Sequence, residues 1–134
     1  MFGALDISTS ALVAQRQRLT AISANVALGS TVVDPNADPD DFRRRVAIFA
    51  PGDPVSGSRE GVHLKEILYD QAPFRKIHDE GHPFADEDGY VQVPNIDPSI
   101  EMINAVEASR AYEANITAAE ATKSMLQTSL RLLA

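Results

Sequence analysis

Apolar residues recur every seven positions near the start of the chain, at Leu5, Leu12, Leu19 and Val26, with Ile22 on the same side. This spacing predicts a helix from about Leu5 to Leu28, ended by Gly29-Ser30. The stripe is narrow, nearer to a coiled-coil seam than to the broad face of a helix in a globular core. A second, longer pattern fills the other end, from about Ser99 to Leu132, where neither Gly nor Pro occurs. Asp97 can cap this helix, and Pro98 suits its first position, where no N–H is needed. One seam runs Met102, Ser109, Ile116, Lys123, Leu130; its neighbour runs Ala105, Tyr112, Ala119, Leu126, Leu133. A further apolar set, Ile103, Val106, Ala114, Ala118, Ala121 and Met125, lies off both seams. The second helix therefore has more than one face to bury.

Between the helices the period changes to two, and turn residues cluster. Thr31 to Asp41 is a polar loop broken by Asp34-Pro35 and Asp38-Pro39. Phe42 to Ala50 predicts a strand, Pro51 to Gly61 a hairpin tip, and Val62 to Tyr69 the return strand. Phe74 to Ile77 suggests a short third strand, followed by a turn-rich loop and an extended piece at Tyr90 to Val93. The fold class is mainly α: two long terminal helices pair as a coiled-coil-like hairpin, with a small β-hairpin and loop segment in the middle. The units are 1–31, 32–98 and 99–134, the first and last forming one coiled-coil core domain.

Charge sharpens this division. Of the 19 acids in the 134 residues, 14 lie in 32–98, with seven bases and all eight prolines. The net charge of −7 argues against nucleic-acid or anionic-membrane binding. No run of 18 apolar residues exists to insert directly into a bilayer, and the N-terminus lacks the pattern of a cleaved signal peptide. The chain has no cysteine, which excludes disulfides, Cys-ligated zinc and thiol catalysis.

The chemical motifs are weak. His78 and His82 are four apart, but Asp79 follows the first His, and Gly81 and Pro83 oppose the helix a metalloprotease motif needs. Asp86 to Gly89 resembles part of a calcium loop, yet Phe84 and Asn95 occupy ligand positions that require Asp and Glu. Arg43-Arg44-Arg45 is too short a basic run, among too much acid, for a nucleic-acid face; it is expected to pair with acids such as Asp40 and Asp41 or with a neighbouring subunit. Asn115-Ile116-Thr117 matches a glycosylation sequon at a helical position, by chance. No catalytic, cofactor or metal site is expected.

A lone helix pair is marginal, because one buried stripe per helix barely offsets the entropy of ordering it. Two arrangements remain open. Copies of the chain associate to cover the spare apolar face, or the helices fold back over the sheet as an α+β monomer.

Two stretches carry a family resemblance. Ser10-Ala11-Leu12-Val13-Ala14, Leu19 and Ile22-Ser23-Ala24-Asn25-Val26-Ala27 resemble the N-terminal motif of bacterial flagellar rod and hook axial proteins. Gly81 to Val91 (GHPFADEDGYV), Pro94-Asn95 and Glu101-Met102-Ile103 to Asn115 resemble the proximal-rod members of that family. The family-motif residues are Asn25, His82, Pro83, Asp86, Asp88, Gly89, Tyr90, Pro94 and Asn95. The resemblance implies a structural subunit, not an enzyme, in the periplasmic rod of the basal body. It implies export through the flagellar type III apparatus without a cleaved signal, and partners among other rod and basal-body proteins and copies of the chain itself. Leu5, Leu12, Leu19, Ile22 and Val26 would then pack on Ile116, Leu126, Leu130 and Leu133. Met102, Ile103, Val106 and Tyr112 would face neighbours. A different class, a small α-hairpin adaptor of another secretion machine, would present the same helices as a folded monomer. A third, a small hydrolase using His78, His82 and Asp86, would carry metal.

Overall fold

The computed structural model describes residues 2–133, without the side chain of Phe2. Two helices dominate it. Helix α1 spans Phe2–Leu28 and helix α2 spans Pro98–Leu133. At about 1.5 Å per residue they are roughly 40 and 54 Å long. Asp97 caps α2 as its composition predicts, its Oδ1 accepting from the Ser99 N–H at 2.8 Å, and Pro98 occupies the first position.

The helices run antiparallel. Asn25 meets Glu101, and Arg18 meets Glu107 at 3.4 Å. Carried along at that register, the first turn of α1 lies beside Lys123. Beyond that point Met125, Leu130, Leu132 and Leu133 are exposed among the described residues, with Leu126 half-buried.

The middle segment forms two separate antiparallel sheets. Strands β1 (Arg45–Pro51) and β2 (Val62–Tyr69) pair from Arg45↔Tyr69 to Pro51↔Val62, with a bulge between Ile48 and Phe49. This hairpin packs along α1. Ser10 on α1 fastens it, its Oγ accepting from the Val62 N–H at 3.1 Å. Strands β3 (Arg75–His78) and β4 (Tyr90–Val93) form the second sheet. β4 alternates exposed and buried side chains, so Val91 and Val93 point inward.

The core is small and split. Ala14, Ala21 and Ile22 of α1 and Ala108 of α2 are buried along the helix pair. Val33, Val91, Val93, Pro94 and Ile96 form a second cluster below the end of α1, where Gly29 approaches Ile96. The Val33 N–H donates to the Gln92 carbonyl at 2.9 Å and ties the loop after α1 to β4.

Two expectations need correction. Phe42 does not begin a strand: Pro39–Phe42 is a 3-10 turn, capped by the Asp38 side chain on the Asp40 N–H, and the strand starts at Arg45. Asp-Pro-Asp supplies a capping oxygen and a fixed φ, which favour a helical turn over extension. Val26 does not complete the buried stripe, being 39% exposed. A straight helix drifts about 20° per heptad from a strict seven-residue repeat. Three heptads after Leu5, the inward position has moved to Ile22 and Asn25.

Candidate functional site

A buried hydrogen-bonded joint connects α1, β1 and α2. Asn25 and Glu101 are both about 1% exposed. The Asn25 Nδ2 donates to Glu101 Oε2 at 2.9 Å and to the Arg45 carbonyl at 2.9 Å. Its Oδ1 accepts from the Arg45 N–H at 2.8 Å. The other carboxylate oxygen of Glu101 accepts from Arg44 Nε at 2.6 Å. One amide thus mimics a strand neighbour for the first residue of β1, while an ion pair closes the far side. Buried polar groups are tolerated when fully bonded, and such a joint specifies one geometry where apolar contacts alone would allow slippage.

The triple arginine divides its work. Arg43 Nε pairs with Asp40 Oδ1 at 2.9 Å, as the sequence suggests, and its guanidinium lies over the Phe74 ring. Arg44 turns inward to Glu101, and Arg45 meets Asn25 through its backbone. Sequence reasoning missed the roles of Glu101 and Arg44. The available signal was an acid one helical turn before Ala105 and two before Ala108, on the face turned to α1.

The helix-packing residues fall into two groups. Leu5, Leu12 and Leu19 are half-buried and Ile22 is buried along α1; Tyr112, Ile116 and Leu126 are half-buried on α2. Met102, Ile103, Val106, Leu130 and Leu133 face outward, Ile103 at 68% exposure and Leu133 at 85%. The expected burial of Leu130 and Leu133 against α1 is not seen among the described residues, because both lie where α2 has outrun α1. Ile100, Met102, Ile103 and Val106 make an apolar band on the first turns of α2, and Met125 to Leu133 a second one at its end.

The motif loop between β3 and β4 is a self-bonded turn. Asp86 Oδ1 accepts from the N–H groups of Asp88 at 3.0 Å and Tyr90 at 2.8 Å, and the Asp86 N–H donates to the Tyr90 carbonyl. Gly89 is buried with φ +80°, and a Cβ there would strike Glu80 Cγ and lie 3.2 Å from His78 Nε2. The His78 ring stands edge-on to Tyr90, and the His82 Nδ1 accepts from the Phe84 N–H at 3.1 Å. His82 is half-buried, Pro83, Asp86, Asp88 and Tyr90 are exposed, Pro94 is buried and Asn95 exposed. His78, His82 and Asp86 are each engaged in shaping the turn. Among the described residues no group of three or more His, Asp or Glu side chains is placed to hold a metal ion. No described helix is long and apolar enough to cross a membrane. Asn115 bonds back to the Ala111 carbonyl at 2.8 Å inside α2, away from the extended conformation of an acceptor loop.

The sequence is similar to known proteins over nearly the whole chain. It is 36% identical over 127 residues to the flagellar basal-body rod protein FlgC of Escherichia coli O157:H7, covering 95% of this chain and 93% of that one. The chain belongs to the FlgC family of flagellar basal-body rod proteins. FlgC of Bacillus subtilis (strain 168) is 37% identical over 145 residues, covering 98% of this chain and 97% of that protein. FlgC of Borreliella burgdorferi is 35% identical over 150 residues, with 99% and 97% covered. The family model for the C-terminal part of flagellar basal body rod FlgEFG proteins matches residues 87–132, from within the β3–β4 turn to the end of α2. The match to FlgC relatives takes in both helices, so the joint at Asn25 and the outward face of α2 are parts of a rod-family chain.

Proposed function

We propose that the chain polymerises through its terminal helices into the proximal rod, the shaft that carries torque from the motor ring to the hook, and does no catalysis. It acts in the periplasm, after export through the flagellar type III apparatus without a cleaved signal. Residues 1–31 and 99–134 together form the axial core of each subunit, and 32–98 lies outside, against adjacent rod and basal-body proteins. Motility depends on it.

The observation that carries this reading is the apolar surface left open on α2, at Ile100 to Val106 and again at Met125 to Leu133. Exposed apolar patches of this extent mark interaction surfaces. Leu5, Leu12, Leu19 and Ile22 close the hairpin on Ile116 and on Tyr112, which was expected to face neighbours and is half-buried, while Leu126 lies past the register of Leu5 and joins the contact to neighbours. Met102, Ile103, Val106, Leu130, Leu133 and Val26 face neighbouring subunits. Packed side chains resist shear, so interfaces of this kind give a stiff shaft. The turn with His82, Pro83, Asp86, Asp88 and Tyr90 sets which subunit sits next door.

The test is complementation of a strain lacking the chain. The unaltered gene restores rods in purified basal bodies and restores swimming. A Leu126→Asp, Leu130→Asp variant is synthesised and leaves the basal bodies without a complete rod. Normal rods and motility in that variant would overturn the proposal.

A further inference from the structure

A groove of about 660 Å³ lies between α1 and the β1–β2 hairpin tip. Its apolar lining includes Ile7, Val13 and Val55. Its acidic lining is Asp6, Asp53 and Glu60; no Lys or Arg joins them, and the one basic side chain is His63, whose Nδ1 is engaged with the Gly52 carbonyl at 2.7 Å. At the other extreme of charge, the overhang of α2 is basic and apolar. Lys123 stands at its start, Arg131 is the only charged side chain from Ser124 to Leu133 among the described residues, and Met125, Leu130, Leu132 and Leu133 are exposed. The overhang cannot enter the groove of its own chain: α2 is one unbroken helix to Leu133 and runs on past the start of α1.

We propose that the groove receives the α2 overhang of a second copy of this chain, with Leu130 against Ile7 and Arg131 beside Asp6. The inference rests on the rod reading and names the contact by which copies join. Groove and overhang are different surfaces, so the contact is head-to-tail and repeats into an open helical series instead of closing on a dimer. Its geometry follows from the helix register. The groove spans Asp6 to Gln17 of α1, opposite the middle of α2, while the overhang is centred near Ser129. A copy lying in the same direction is therefore shifted by about 20 Å along the helix axis, at ~1.5 Å per residue. The apolar edge of the overhang loses its exposed surface to Ile7, Val13 and Val55, and the acidic rim fixes which helix end is accepted.

The absence of cysteine allows a direct test on the purified full-length chain at high concentration. Ile7→Cys and Leu130→Cys change exposed positions and are made in separate chains of different tag mass. Mixed and treated with a short bismaleimide, they yield a cross-linked pair of mixed mass, and the doubly substituted chain yields a ladder. The control is Leu130→Cys mixed with Ile77→Cys, an exposed position on β3 outside the groove. Adding Arg131→Glu lowers the mixed yield at least threefold, and adding Asp6→Arg on the groove chain restores it. A mixed yield no greater than the control, or one indifferent to both charge changes, overturns the inference. Its failure is separable from that of the rod reading: complementation of motility without the cross-link defeats only the inference, and the cross-link without complementation defeats only the rod reading.

Discussion

Asn25 and Glu101, 76 positions apart in sequence, are bonded side chain to side chain at 2.9 Å in the interior. Their bond fixes the register of α1 against α2, and the hydrogen bonds of Asn25 with Arg45 fix where β1 begins. Removing the amide in Asn25→Ala strands the Arg45 N–H and carbonyl and one oxygen of Glu101. The expected loss is about 2 kcal/mol. Arg44→Ala leaves Glu101 without its cation and costs ~2–3 kcal/mol, less than a fully enclosed pair because Arg44 is partly solvated. Glu101→Gln keeps the shape but sets its NH2 against one of two donors, Asn25 Nδ2 or Arg44 Nε, so it also costs stability. Urea unfolding monitored by circular dichroism ranks them; an Asn25→Ala chain as stable as the parent would refute the role given to the joint.

Gly89 holds the motif turn. With φ +80° and Glu80 Cγ in the space a Cβ would take, Gly89→Ala combines backbone strain with a side-chain clash. Glu80 is exposed and can swing away, so the backbone term dominates, at about 1–2 kcal/mol. Pairing Gly89→Ala with Glu80→Ala should recover only the smaller part. Amide exchange at β3 and β4 reads the effect, and full recovery in the double variant would show that the clash, not the backbone, sets the cost.

Asp53 organises the tip of the β1–β2 hairpin. The Ser56 hydroxyl and the Val55 N–H donate to its carboxylate at 2.7 and 2.9 Å, and hold its pKa below the ordinary value. A lowered folded-state pKa contributes order that is present above the unfolded-state value and is lost as pH falls through the folded one. The Val55 and Ser56 amides should therefore stay protected at neutral pH and lose protection only below the ordinary carboxylate range. Asp53→Asn should abolish that pH dependence. NMR titration of the two amides checks it; loss of protection on raising the pH would reverse the sign and refute the assignment.

The outward face of α2 has little to do in a single chain. Ile103→Ser with Val106→Ser exchanges exposed apolar side chains for polar ones, so the isolated chain should change in stability by less than about 0.5–1 kcal/mol. Rod formation should fail in the same variant. Equal damage to both properties would mean that these side chains are structural within one copy.

Much of this was legible in the sequence, for stated reasons. Asp97-Pro98, and the absence of Gly and Pro after it, announced α2, and the seven-residue recurrence announced α1. The strand pattern at Val62 to Tyr69 matched its element to the residue. Phe42 misled because aromatic and β-branched residues around it favour extension, while the cap at Asp38 decided the local backbone. Val26 misled because a heptad repeat was extended over a helix too straight to follow it. Leu130 and Leu133 misled because pairing two seams does not fix the register at which they meet, and the one set by Asn25 and Glu101 leaves the end of the longer helix beyond the start of α1. The joint was the least legible feature. Asn25 stood out only through a family resemblance, and its partners Glu101 and Arg44 look like ordinary surface charges until three distant segments meet.

The account depends on α2 being incomplete in one copy and covered in the rod. Hydrogen–deuterium exchange of residues 124–133, compared between the isolated chain and purified basal bodies, measures this directly. The overhang amides should exchange within seconds to minutes in the isolated chain and be protected at least a thousandfold (about 4 kcal/mol) in the assembled rod. Equal protection in the two states would contradict it.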